Sequence, residues 1–164
     1  MRVGITGHQR LESHLDWEWV EREFSALLHS LKPPLIGVTC LAIGADQLFA
    51  NAILQNGGIV EAVIPFQEYE MSFEADGKEQ YYKLIKRAAK ITTLQRKASI
   101  EESYSEAGKV VVDSSEIIIG VWNGLPAAGL GGTADVIRYA LQKGKTVTQL
   151  NPTHQIVKQL EAAN

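Results

Sequence analysis

Glu116-Ile117-Ile118-Ile119-Gly120-Val121-Trp122 is the most strand-like run in the chain, and what surrounds it decides the fold. Its centre is apolar at every position, as in a strand covered on both faces. Gly- and Pro-containing residues 123–132 follow. A helical segment then places Val136, Ile137, Ala140 and Leu141 on one face and stops at Gly144. Thr146–Leu150 reads as the next strand. Buried strand, helix and buried strand make a βαβ unit, which demands a parallel pair.

The same alternation extends toward the N-terminus. Val3–Thr6 is a short strand. Trp17, Val20, Phe24, Leu27, Leu28 and Leu31 then recur at helical spacing, with Ser13 and Asp16 resembling a capping box and Pro33-Pro34 ending the helix. Trp19 falls off that stripe, so the Trp17/Trp19 helix is a candidate contact surface between copies. Leu35–Cys40 is a second strand, Ala45–Gln55 a helix closed by Gly57-Gly58, and Ile59–Phe66 a third strand, its closing Phe66 expected in the core. Gln67–Gly77 carries Glu68, Glu70, Glu74 and Asp76 and reads as a solvated loop or a flap. Lys78–Lys90 reads as helix, Ile91–Leu94 as strand, Ser99–Val112 as helix, and Pro152 as the start of a final short helix. The expectation is one α/β domain over residues 1–164, three layers deep, with a doubly wound, mostly parallel sheet and helices on both faces.

Composition narrows the function classes. At 164 residues with 45% hydrophobic residues and a net charge of −3, the chain folds rather than staying disordered. No apolar run approaches the ~18 residues of a membrane span. Polar His8, Gln9 and Arg10 come too early for a signal peptide. The single cysteine, Cys40, reads as a small buried residue. A cytoplasmic protein with no membrane partner is expected. A pI near 5.8 and few aromatics argue against nucleic acid. His8, His14, His29 and His154 lack metal-ligand spacing, so neither metal nor cofactor is called for.

In an open parallel sheet, ligands bind beyond the carboxyl ends of the strands. Three such loops carry more than turn chemistry requires. Thr6-Gly7-His8-Gln9-Arg10 offers close backbone approach at Gly7 and donors suited to phosphate or a base edge. Gly44-Ala45-Asp46 opens a helix whose free N–H groups suit an anion. Asp46 is either a partner of the helix dipole or an acceptor for a ribose hydroxyl. Gly131-Gly132-Thr133 opens the helix after the 116–122 strand and suits a phosphate, although neither GxxxxGK[ST] nor GxGxxG is present. Trp122-Asn123-Gly124 adds an amide and an aromatic face that stacks on a base or belongs to the core.

Together these motifs, with "LAIGAD", "AVIPF" and "VVDSSEIIIGVWNG…GGTADVIRYA", resemble the SLOG superfamily of Rossmann-like domains over about Val3 to Leu150. That group includes the DNA-processing protein A-like domains and the Lonely Guy proteins. The likeness is greatest to its small stand-alone bacterial members. The resemblance implies a nucleotide-type pocket in which Thr6, Gly7, His8 and Arg10, then Gly44, Ala45 and Asp46, then Gly131, Gly132 and Thr133 meet the ligand, and it implies a homo-oligomer. Two departures stand out. Trp122-Asn123-Gly124 replaces a WDG, and the glutamate of the Lonely Guy PGGxGTxxE motif has no counterpart, since Val136 lies three past Thr133. Asp135, one residue earlier, is turned by about 100° on a helix. The leading expectation is a nucleotide-binding sensor or carrier domain. The alternative is a hydrolase of the N-glycosidic bond in a nucleoside 5′-monophosphate, with Asp46 or Asp135 as its candidate catalytic carboxylate.

Overall fold

The computed structural model of the protein describes residues 1–126 and 131–161. Seven strands form one sheet: β1 (Arg2–Gly7), β2 (Ile36–Thr39), β3 (Ile59–Ile64), β4 (Lys90–Thr93), β5 (Ile117–Val121), β6 (Thr146–Asn151) and β7 (Ile156–Leu160). Their spatial order is β4-β3-β2-β1-β5-β6-β7, parallel throughout except for β7. The helices are α1 (His14–Ser30), α2 (Ala45–Gln55), α3 (Ala75–Ile85), α4 (Ile100–Asp113) and α5 (Thr133–Gln142). α1, α2 and α3 pack in a row on one face, and α4 and α5 pair on the other. The three-layer, doubly wound expectation holds.

The apolar pattern explains the layers. Val3, Val38, Val60, Ile118, Ile119 and Val147 are all buried, because both faces of the sheet are covered. Phe24 of α1 meets Phe49 of α2 edge-on at 5.7 Å, filling the space above β1 and β2. Trp19 belongs to this core and is only 6% exposed, so it is no contact surface. The buried face of α1 is wider than one narrow stripe. No helix among the described residues is long and apolar enough to cross a membrane.

Three boundaries differ from expectation. α3 begins at Ala75, after Glu74 in extended conformation, and ends at Ile85, and β4 begins at Lys90 rather than within a longer helix. The acidic stretch 67–77 is ordered on one side: Tyr69–Ser72 make a 3-10 turn that buries Tyr69, while Glu68 and Glu74 stay in solvent. After Pro152 the chain forms β7 instead of a helix. His154 N–H bonds Asn151 Oδ1, and Gln155 takes φ +51. That turn returns Ile156–Leu160 antiparallel onto the open side of β6, whose backbone would otherwise be unpaired.

Strand order matters most for function. From β1 the chain winds outward through β2 and β3 to β4. It then crosses back to β5 on the other side of β1. The order reverses between β1 and β5, and the loops that leave those two strands and β2 are neighbours at one rim of the sheet.

Candidate functional site

At that rim lies a cavity of about 480 Å³, within the range of small-molecule sites. Its wall includes Thr6, Gly7, His8 and Gln9 after β1, Cys40, Ala42 and Asp46 around β2, Trp122 and Asn123 after β5, and Gly131–Ala134 at the start of α5. Residues 127–130, within the loop expected to flank the site, lie outside the described residues.

The β1 loop continues the sheet: His8 N–H donates to Val121 O at 3.0 Å. The His8 ring accepts at Nε2 from Asn123 N–H at 3.2 Å, which leaves Nδ1 to carry the proton. Burial lowers the ring's pKa, with the Asn123 side chain opposing, so His8 is a neutral imidazole at pH 7. Gly7 lines the cavity, yet its lack of a side chain is dictated by the protein. A Cβ there would stand 2.5 Å from Ala45 Cβ and 2.8 Å from Val121 Cβ. Gly7→Ala should cost about 1–3 kcal/mol through overpacking, a loss of roughly 2–10 °C in Tm that calorimetry would read.

Gly44 and Ala45 depart from expectation. Neither lines the cavity. Ala45 N–H donates to His8 O at 3.1 Å, and a Cβ on Gly44, whose φ is +87, would meet the Gln9 backbone at 2.5 Å. The opening of α2 is a seat for the β1 loop, and part of its donor capacity is spent there. Arg10 also turns outward. It is 75% exposed and ion-paired with Glu74, which is 72% exposed.

Asp46 does reach the cavity. Its Oδ2 accepts from Thr39 Oγ1 and from Cys40 N–H, each at 2.9 Å, and Thr39 Oγ1 accepts from Leu41 N–H at 3.0 Å. This network holds Leu41 at φ +56, a conformation β- and γ-branched residues avoid. Burial raises the Asp46 carboxyl to about 6 against the donors of Thr39, Cys40 and Ala42, which pull it down. Cys40, expected to be buried, is partly so: it packs against the core cluster of Val38 and Val63 and borders the cavity. Burial, reinforced by Asp46, pushes its thiol well above the usual range, so it is a poor nucleophile.

The start of α5 keeps the character expected of it. Gly132 is the N-cap and supplies no side-chain acceptor. Among the described residues, the N–H groups of Thr133 and Ala134 find no acceptor, and both residues face the cavity. Gly131, at φ +81, lies directly on α4. A Cβ there would come within 2.7 Å of Ser105 N and 2.8 Å of Glu101 O. Asp135 is absent from the cavity wall. Its Oδ2 accepts from Gly131 N–H at 3.2 Å and its Oδ1 from Arg138 at 3.0 Å, so it fastens the glycine turn. Asn123 has a similar duty, its Oδ1 accepting from Leu125 N–H at 3.1 Å. Trp122 lines the cavity, with Nε1 donating to Leu125 O at 2.7 Å.

Part of the wall lies outside the three sequence motifs. Tyr69, Tyr104, Ala107 and Gly108 complete the cavity. Tyr104 lies over Phe66 (centroids 6.1 Å apart, 21° between planes), and Tyr69 meets both rings edge-on. Phe66 is buried as expected. The readable signal was the i, i+4 spacing of Tyr104 and Gly108 on α4, which puts a ring and a gap on the same face. Among the described residues, no lysine or arginine lines the cavity.

Among solved structures, DNA processing protein A from Streptococcus pneumoniae superposes with a TM-score of 0.66 at 18% identity, over 90% of this chain and 49% of that one. DNA processing protein A from Helicobacter pylori gives 0.65 at 18% identity, over 91% of this chain and 64% of that one. The fold is that of the DNA-processing protein A-like Rossmann domains. TM1055, a Lonely Guy-like protein, shares this Rossmann-like fold with a TM-score of 0.58 at 14% identity, over 89% of this chain and 71% of that one. No family model and no curated protein matches the sequence. The chain spans about half of the first DNA processing protein A and just under two thirds of the second. The Helicobacter pylori protein binds single-stranded DNA, so this fold is compatible with nucleic-acid binding, against the expectation drawn from pI and few aromatics.

Proposed function

We propose that the chain binds a nucleotide or nucleotide derivative in the rim cavity, as a sensor or carrier domain, with one phosphate at the start of α5. The observation that carries this reading is the pair of N–H groups on Thr133 and Ala134, which find no acceptor among the described residues, at a cavity also lined by Tyr69 and Tyr104. A helix N-terminus suits an anion, and a tyrosine face suits a base. The absence of lining lysine and arginine favours a monophosphate over a di- or triphosphate, whose extra charge would lack a partner. Thermal-shift titration tests it. A nucleoside 5′-monophosphate at about one hundred times Kd should add about 2.7 kcal/mol, a rise of roughly 5–10 °C in Tm. The parent nucleoside should add less. No shift with any monophosphate overturns the reading.

Asp46 favours a second reading. A carboxyl with a pKa of about 6 that borders a ligand cavity is suited to proton transfer. N-glycosidic hydrolysis therefore rests on Asp46 rather than on Asp135, whose oxygens hold the glycine turn. Incubation with a panel of nucleoside monophosphates, followed by chromatography for free base, decides between the readings. Base release lost in Asp46→Asn and kept in Asp135→Asn supports the hydrolase.

A further inference from the structure

Residues 80–100 hold Lys83, Lys86, Arg87, Lys90, Arg96 and Lys97 and no acid, in a chain of net charge −3. All six cations are exposed. They follow one border of the molecule, from the end of α3, through the start of β4, to the turn after it. β4 is the outermost strand and pairs only with β3. Half of its backbone N–H and C=O groups therefore face outward without a strand partner.

Three of the cations have local partners. Lys83 pairs with Glu79, Arg96 lies 5.2 Å over the Phe66 ring, and Lys90 is opposite Glu61, which also holds Arg2. Lys86, Arg87 and Lys97 make no ion pair among the described residues. An edge strand is commonly guarded against aggregation by a lysine within it, and Lys90 serves that purpose. The other five flank β4 at both ends, where guarding does not need them. Ile91, 50% exposed, adds an apolar side chain to the border.

We propose that the β4 edge docks an acidic, extended peptide segment of a partner protein, which adds as a further strand beside β4. Side chains alternate along a strand, so Lys90 and Thr92 share one face and Ile91 and Thr93 the other. The segment that fits alternates acidic residues, on the Lys90 face, with apolar ones beside Ile91. Acids beyond its ends meet Lys86 and Arg87 on one side and Arg96 and Lys97 on the other. Backbone pairing supplies the affinity and the alternation supplies the specificity. A nucleic-acid strand fits less well. The exposed aromatic ring here, Tyr82, donates its hydroxyl to Glu70, which sets an acid beside the base-stacking surface. A membrane needs a plane of cations, and this border is a line.

The test is fluorescence anisotropy with the full chain and a short labelled peptide of alternating glutamate and valine. Two further peptides carry N-methyl groups on one or the other set of alternate amides. The expected result is salt-sensitive binding. It weakens by about tenfold or more when one set of amides is methylated and is unchanged with the other set. Lys86→Glu with Arg87→Glu, both on the surface, should weaken it comparably, with circular dichroism confirming the fold. Absence of binding overturns the proposal. So does equal binding of both methylated peptides, which signals charge attraction without strand addition. Tighter binding of oligothymidylate or of phosphatidylglycerol vesicles overturns the choice of partner. Nucleoside monophosphates should not compete, since the cavity reading stands apart from this edge.

Discussion

Gly132→Asp is expected to abolish nucleoside monophosphate binding while leaving the fold intact. Gly132 sits at φ −72 and ψ 170, extended backbone that any residue adopts, and it is the N-cap of α5. Aspartate is a favoured N-cap. Its carboxylate accepts from the N–H groups of the first turn and lies at the positive end of the helix dipole. Relative to glycine this adds a few tenths of a kcal/mol, so the apo Tm should hold or rise slightly. The same carboxylate fills the place of the ligand's phosphate and repels it. A loss of about a hundredfold in affinity, near 2.8 kcal/mol, should appear in calorimetric titration. Gly132→Asn, neutral and of the same shape, separates charge from occupancy and should lose less. Undiminished binding to Gly132→Asp would mean that the phosphate does not lie at this turn.

The alternation of apolar strands with amphipathic helices made the layers legible, because burial on both faces leaves a continuous apolar run in each strand. Strand order was not legible, since nothing in Leu94–Ser99 states that the chain crosses back over three strands to place β5 beyond β1. β7 was hidden for a related reason. Ile156–Leu160 is exposed on an edge, so it lacks the apolar pattern that marks the inner strands. Within the site, motif residues divided by what else they must do. Gly131 and Gly132 look alike in the sequence, yet one is glycine because α4 lies against it and the other is an N-cap that supplies no side-chain acceptor. Gly44 and Ala45 resembled a second anion site, but the space at Gly44 and the Ala45 N–H go to the β1 loop. Tyr69, a lone tyrosine in an acidic loop, carries no motif, and the spacing of Tyr104 to Gly108 marks a helix face without saying that the fold brings it to the rim.

Asp46 yields the larger stability effect, and its sign follows from burial. The carboxyl titrates near 6 in the folded chain against 3.8 when unfolded. Between those values the folded state holds a proton that the unfolded state has released. Asp46 therefore contributes stability that is full below about pH 3.8 and lost as the pH rises through about 6. A shift of this size corresponds to about 3 kcal/mol. Asp46→Asn keeps a carbonyl oxygen for Thr39 and Cys40 and removes the ionisation. The stability of the variant relative to wild type should rise by about 2.4 kcal/mol between pH 4 and pH 7, roughly 5–10 °C in Tm, whatever the absolute cost of the replacement. Only the pH dependence of the difference bears on the argument, because the other titrating groups are common to both proteins. His8 acts in the opposite direction, since its lowered pKa makes the fold lose stability as the pH falls below about 6.5. If the difference between Asp46→Asn and wild type is flat across this range, the carboxyl ionises normally and the second functional reading loses its acid. If the slope appears and added monophosphate shifts it, Asp46 and the ligand share one cavity.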